Sequence, residues 1–131
     1  MGAMVRGRWV RATICGVGLA ATSAVMASTQ GVWAHAFMSR SEPRTGATIA
    51  ESPRQVRLWF DGPIEPLFAT ISVENRDKRR VDNGDGRVNP GDNRLLEVGL
   101  PPLPPGRYRV VWCVVARDGH PREGNFSFLL K

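Results

Sequence analysis

The chain has 131 residues, with 18 Lys and Arg against 12 Asp and Glu. That length suits about one domain. The basic excess is scattered rather than gathered: three of its members, Arg6, Arg8 and Arg11, lie at the start, and the one later cluster, Lys78-Arg79-Arg80, has no interleaved aromatics, so no nucleic-acid footprint is present.

In chain order, the first third does not pattern as a folded domain. The three early arginines are followed by Ala12 to Ala27, a run without charge, and then by the small-residue segment STQGVWAHA. A positive start, an apolar stretch and a small-residue end describe a secretory signal peptide. The apolar run is about 16 residues and rich in Ala and Gly, short of the ~20 that a spanning helix needs. No later stretch is longer, so the mature chain is expected to carry no integral membrane segment. Cleavage fits after Ala34, releasing His35, and equally after Ala36, releasing Phe37; Val25-Met26-Ala27 offers an earlier cut. The first choice divides the chain into a signal peptide, 1–34, and a domain, 35–131, large enough for one core. Cys15 would leave with the signal, so Cys113 would stand alone and no internal disulfide could form.

The remainder reads as all-β. Val56 to Phe60 alternates and stops at the turn Asp61-Gly62-Pro63. Ala69 to Glu74 alternates again, with Ile71 and Val73 on one face. Asp82 to Asp92 is turn chemistry; within it the Asp/Gly loop at 82–86 lacks the twelve-residue pattern and terminal Glu of a calcium-binding loop and is expected as a solvated turn. Leu95 to Leu100 is a short strand. Pro101 to Gly106 cannot lie inside a sheet, because Pro donates nothing to a ladder. Arg107 to Ala116 is the longest strand, with Tyr108, Val110, Trp112 and Val114 on one face. Asn125 to Leu130 closes the fold, with Phe126, Phe128 and Leu130 inward. No segment has a 3.6-residue apolar period over a helical length. Short strands punctuated by Gly and Pro imply a sandwich or barrel of about seven strands.

Two histidines occur in the chain, His35 and His120. An amino-terminal His offers two nitrogens, its α-amine and its ring Nδ1, which close a six-membered chelate on a metal. The α-amine ordinarily loses its proton near ~7.7–8.0, so a metal displaces it at neutral pH. Asp118 and His120 sit in Asp118-Gly119-His120-Pro121, where Gly119 permits a tight turn and Pro121 stiffens the exit. Together these residues supply three nitrogens and one oxygen. A tetragonal N/O set favours Cu(II), whereas Zn(II) prefers a tetrahedron. Cu(I) needs softer donors, and after cleavage only Met38 of the methionines remains.

These residues resemble those of the CopC family of periplasmic copper-resistance proteins. His35-Ala36-Phe37 follows the signal directly. Ser41-Glu42-Pro43-Arg44-Thr45-Gly46-Ala47 resembles S-x-P-x-x-G-A, and Val56 to Pro66 resembles a strand ending in F-S-E-P-V-E-P. Leu103 to Gly106 with Tyr108 to Trp112 resembles L-x-P-G-x-Y-x-V-x-W. Asp118 to Pro121 with Gly124, Phe126 and Phe128 resembles D-G-H-P-x-x-G-x-F-x-F. The resemblance implies a seven-stranded Greek-key β-sandwich or barrel, Ig-like and cupredoxin-like. It implies cleavage before His35, and one Cu(II) ion held by His35, Asp118 and His120. It further implies a periplasmic monomer that sequesters copper or delivers it, in some members to an inner-membrane partner called CopD. Gly62 stands where the family often has Glu, which makes the neighbouring Asp61 a substitute acid near the site. Two rival readings remain: a copper-brace oxidative enzyme acting on a polymer, and a metal-free Ig-like binding module.

Overall fold

The computed structural model describes residues 36–131, so the expected signal peptide and His35 lie outside the described residues. Eight strands follow in order: β1 (Met38–Glu42), β2 (Thr48–Ile49), β3 (Gln55–Phe60), β4 (Thr70–Glu74), β5 (Arg87–Asn89), β6 (Asp92–Gly99), β7 (Gly106–Val115) and β8 (Pro121–Leu130). A 3-10 turn at Pro66–Phe68 separates β3 from β4. The strands form two four-stranded sheets, β1-β3-β6-β5 and β2-β8-β7-β4. Every pair is antiparallel except β2 with β8. The expected all-β sandwich is therefore observed, with eight strands among the described residues where about seven were expected.

The alternating strands bury the faces that their periodicity assigns. Tyr108, Val110, Trp112 and Val114 of β7 are buried, as are Ile71 and Val73 of β4 and Phe126, Phe128 and Leu130 of β8. They meet Val56, Leu58 and Phe60 of β3 and Leu96 and Val98 of β6 from the facing sheet. Each such side chain, fully buried, contributes about 1.5–3 kcal/mol. Phe60 meets Trp112 edge to face across the two sheets, with ring centroids 5.2 Å apart. The indole lies so close over β8 that a Cβ at Gly124 would sit 2.6 Å from its Cζ2, so only glycine fits opposite Trp112. The Pro-rich segment 101–105 stays outside the sheets, and the Tyr108 hydroxyl donates to the Pro104 carbonyl to hold it there.

The segment 82–92 is only partly turn, although residues 83–86 are exposed, as expected of the loop at 82–86. It contains β5, an edge strand on β6, and the Asp82 side chain is wholly buried. Asp82 accepts the Val73 and Gly84 N–H groups, each at 2.8 Å, and both its oxygens meet Arg80 Nε at 2.9 Å. Asp85 accepts Gly99 N–H at 2.8 Å. These carboxylates satisfy main-chain donors of β4, of the end of β6 and of their own loop, a use that composition alone does not reveal.

Candidate metal centre

β7 and β8 pair without a break from Gly106↔Leu130 to Val115↔Pro121. At that end the chain reverses through Ala116 to His120. Ala116 N–H donates to the His120 carbonyl at 3.1 Å, and Gly119 N–H donates to the Ala116 carbonyl at 2.9 Å. Gly119 has φ +87°, a left-handed conformation that a side chain disfavours. This is the short hairpin loop with glycine in its left-handed position. Pro121 opens β8, the strand position that tolerates a missing N–H.

The loop brings Asp118 and His120 together, as the tight turn at Gly119 predicts. Asp118 Oδ1 accepts the His120 main-chain N–H at 3.0 Å, an Asx turn. Asp118 Oδ2 lies 3.2 Å from His120 Nδ1. The Asp118 side chain is 11% exposed and the His120 side chain 52%, so the carboxylate is sheltered while the ring reaches outward. The residue expected as an oxygen donor therefore lies beside the ring expected as a nitrogen donor.

The start of the described chain runs into the same end of the sandwich. Ala36 is fully buried. Phe37 N–H donates to Asp61 Oδ1 at 2.6 Å, and Asp61 N–H donates to the Phe37 carbonyl at 2.9 Å. The Arg122 guanidinium sits over the Phe37 ring, 4.9 Å from its centroid, and Arg122 lies two residues beyond His120. Phe37 therefore touches both the end of β3 and the beginning of β8. Position 35 is two residues earlier, a chain advance of about 7 Å at most. His35, the remaining expected ligand, lies outside the described residues. Among those described, no group of three or more His, Cys, Asp or Glu gathers to hold a metal. Asp61, read from sequence as a substitute acid near the site, gives one oxygen to the Phe37 amide; a bond across 24 positions carries no local signature. Cys113 is a partly exposed free thiol on β7, opposite Thr70 and Glu123.

A carboxylate and an imidazole fixed on one hairpin, beside an incoming chain that can add nitrogen donors, suit a borderline metal such as Cu(II) better than a soft or purely oxygen-binding ion. The comparisons with known proteins point to copper, without distinguishing its oxidation state. The CopC domain profile matches residues 38–131. Protein YobA of Escherichia coli K12 is 31% identical over 104 residues, covering 79% of this chain and 84% of that protein. Copper transport protein CutJ of Bacillus subtilis is 33% identical over 97 residues, but the match spans only 18% of its length. The crystal structure of CopC from Methylosinus trichosporium OB3b superposes with a TM-score of 0.69 at 31% identity, over 74% of this chain and 94% of that one.

Proposed function

Because this chain belongs to the CopC family, we propose that it binds one Cu(II) ion in the periplasm and holds it for sequestration or delivery. Relatives carry the names copper transport protein and copper resistance protein, and the family's members bind or move copper rather than catalyse a reaction. The chain is exported by a signal peptide spanning 1–34 and cleaved before His35. The new α-amine and ring Nδ1 of His35, with Asp118 and His120, then form the ligand set. The mature chain acts as a monomer and passes its metal to an inner-membrane partner of the CopD kind.

One observation carries the reading: Asp118 and His120 converge on the hairpin at the end of the sandwich where the chain enters, beside Phe37 and Arg122. A metal bound there would bridge the chain start and the hairpin. The test is mass spectrometry of the exported protein's first residue, followed by Cu(II) titration. We expect His35 first and one equivalent bound. One extra residue ahead of His35 turns the chelating amine into an amide, so affinity should collapse; equal affinity of the extended and native forms would refute the ligand set.

A further inference from the structure

We propose that Asp61 is a positioning residue for the copper centre, fixing the start of the mature chain through the Phe37 amide. This role rests on the copper reading above.

The argument begins with how β3 ends. Its ladder with β1 runs to Met38↔Phe60. One step beyond, Asp61 N–H donates to the Phe37 carbonyl at 2.9 Å. A regular antiparallel pair would return the second bond through a backbone carbonyl. Here the chain turns off at Gly62-Pro63, and the Asp61 carboxylate accepts Phe37 N–H instead, at 2.6 Å. An N–H donated to an ionised carboxylate is shorter and stronger than a neutral bond. Phe37 is thus gripped at both its N–H and its carbonyl by one residue. Its ring is covered by Arg122 from the other sheet, and Ala36 is buried beside it.

The consequence follows from the kind of ligand involved. A side-chain ligand can reach its metal by rotating, whereas a main-chain amine goes where the next residues' backbone sends it. With Phe37 pinned and Ala36 buried before it, the backbone that leads to position 35 is fixed before copper arrives. Without the carboxylate, the start of the chain frays and copper must order it. Asp61 is itself exposed, so its loss leaves the core intact.

The test compares exported wild type with Asp61→Ala and Asp61→Asn. Asn keeps an oxygen acceptor and removes the charge. We expect Asp61→Ala to weaken Cu(II) binding about tenfold, the cost of ordering one further residue, and to broaden the nitrogen hyperfine pattern of the bound Cu(II). Asp61→Asn should recover most of the affinity. In metal-free protein the Phe37 amide should exchange slowly in wild type and Asp61→Asn, and fast in Asp61→Ala. If Asp61→Ala binds as wild type does, the positioning role is wrong while the copper reading stands. If Asp61→Asn binds as weakly as Asp61→Ala while its Phe37 amide still exchanges slowly, the effect is charge alone and the anchor is refuted. If wild type takes up no Cu(II) although its Phe37 amide is protected, the copper reading falls, and this role with it.

Discussion

Asp82 and Asp118 carry out the same local act with opposite results. Each is a sheltered carboxylate, with 0% and 11% side-chain exposure, whose oxygen accepts the main-chain N–H two residues ahead, Gly84 in one case and His120 in the other. They differ in what else reaches the carboxylate. Asp82 also receives a second main-chain N–H, from Val73, and the Arg80 guanidinium. Arginine stays charged at any ordinary pH and offers no lone pair. Asp118 meets an imidazole, which gains and loses a proton and binds metals. One turn type therefore makes a brace where the partner is a permanent cation, and leaves a candidate metal donor where the partner is an imidazole.

The largest effect that separates the two regions should come from Asp82→Ala. It strands the Val73 and Gly84 donors and removes the partner of Arg80, so stability should fall by about 2–4 kcal/mol. Arg80 is half-exposed and water can take it up, which keeps the loss within that range. Chemical denaturation measures the change, and Cu(II) affinity of the surviving folded fraction should not move. A copper defect as large as the stability defect would erase the distinction.

His120→Ala should reverse the pattern. The ring is half-exposed and lies outside the apolar core, so stability should change by less than about 0.5 kcal/mol. Cu(II) affinity should drop at least about tenfold, with one nitrogen lost from the hyperfine pattern. An unchanged pattern would remove His120 from the site.

Acid should separate the regions more finely. Burial pushes the Asp82 carboxyl up, but hydrogen bonds from Arg80, Val73 and Gly84 and the Arg80 charge outweigh it and hold it below its ordinary 3.8. A depressed folded-state value means that its contribution is complete above the unfolded value. The contribution is lost as pH falls through the folded one. Stability from this brace should therefore persist down to about 3.8 and fade below, and Asp82→Asn should flatten that part of the curve. Metal ligands must be deprotonated to bind, so Cu(II) affinity should weaken earlier, over the ~5–8 range where imidazoles ordinarily titrate. Copper binding that stays flat across that range would exclude imidazole ligation.

How much of this was legible in the residues depended on burial. The strands read correctly in order, β3, β4, β6, β7 and the apolar half of β8, all point alternate side chains into the core. The strands that were missed, β1, β2 and β5, are sheet edges. In β1 the sequence Met-Ser-Arg-Ser-Glu buries only Ser41, and β5 buries only Val88. These three edge strands are short or polar and show no apolar period, whereas β4, also an edge, buries Ile71 and Val73 in alternation and was readable. The polar first half of β8, Pro121 to Gly124, went unread for the same reason; its strand identity comes from its pairing with β7.

Sequence by itself determined the all-β class, the buried faces and the Asp118-Gly119-His120 turn, because each depends on spacing between near neighbours. Tertiary structure alone decided that Asp82 is a brace, that Asp61 grips Phe37, and that the chain enters beside the hairpin of Asp118. The Asp61 bond joins residues 24 apart within one sheet, and the Phe37–Arg122 contact crosses both sheets. Asp82 uses nearby donors that converge only once β4 and the following loop are in place, so none of the three depends on spacing alone.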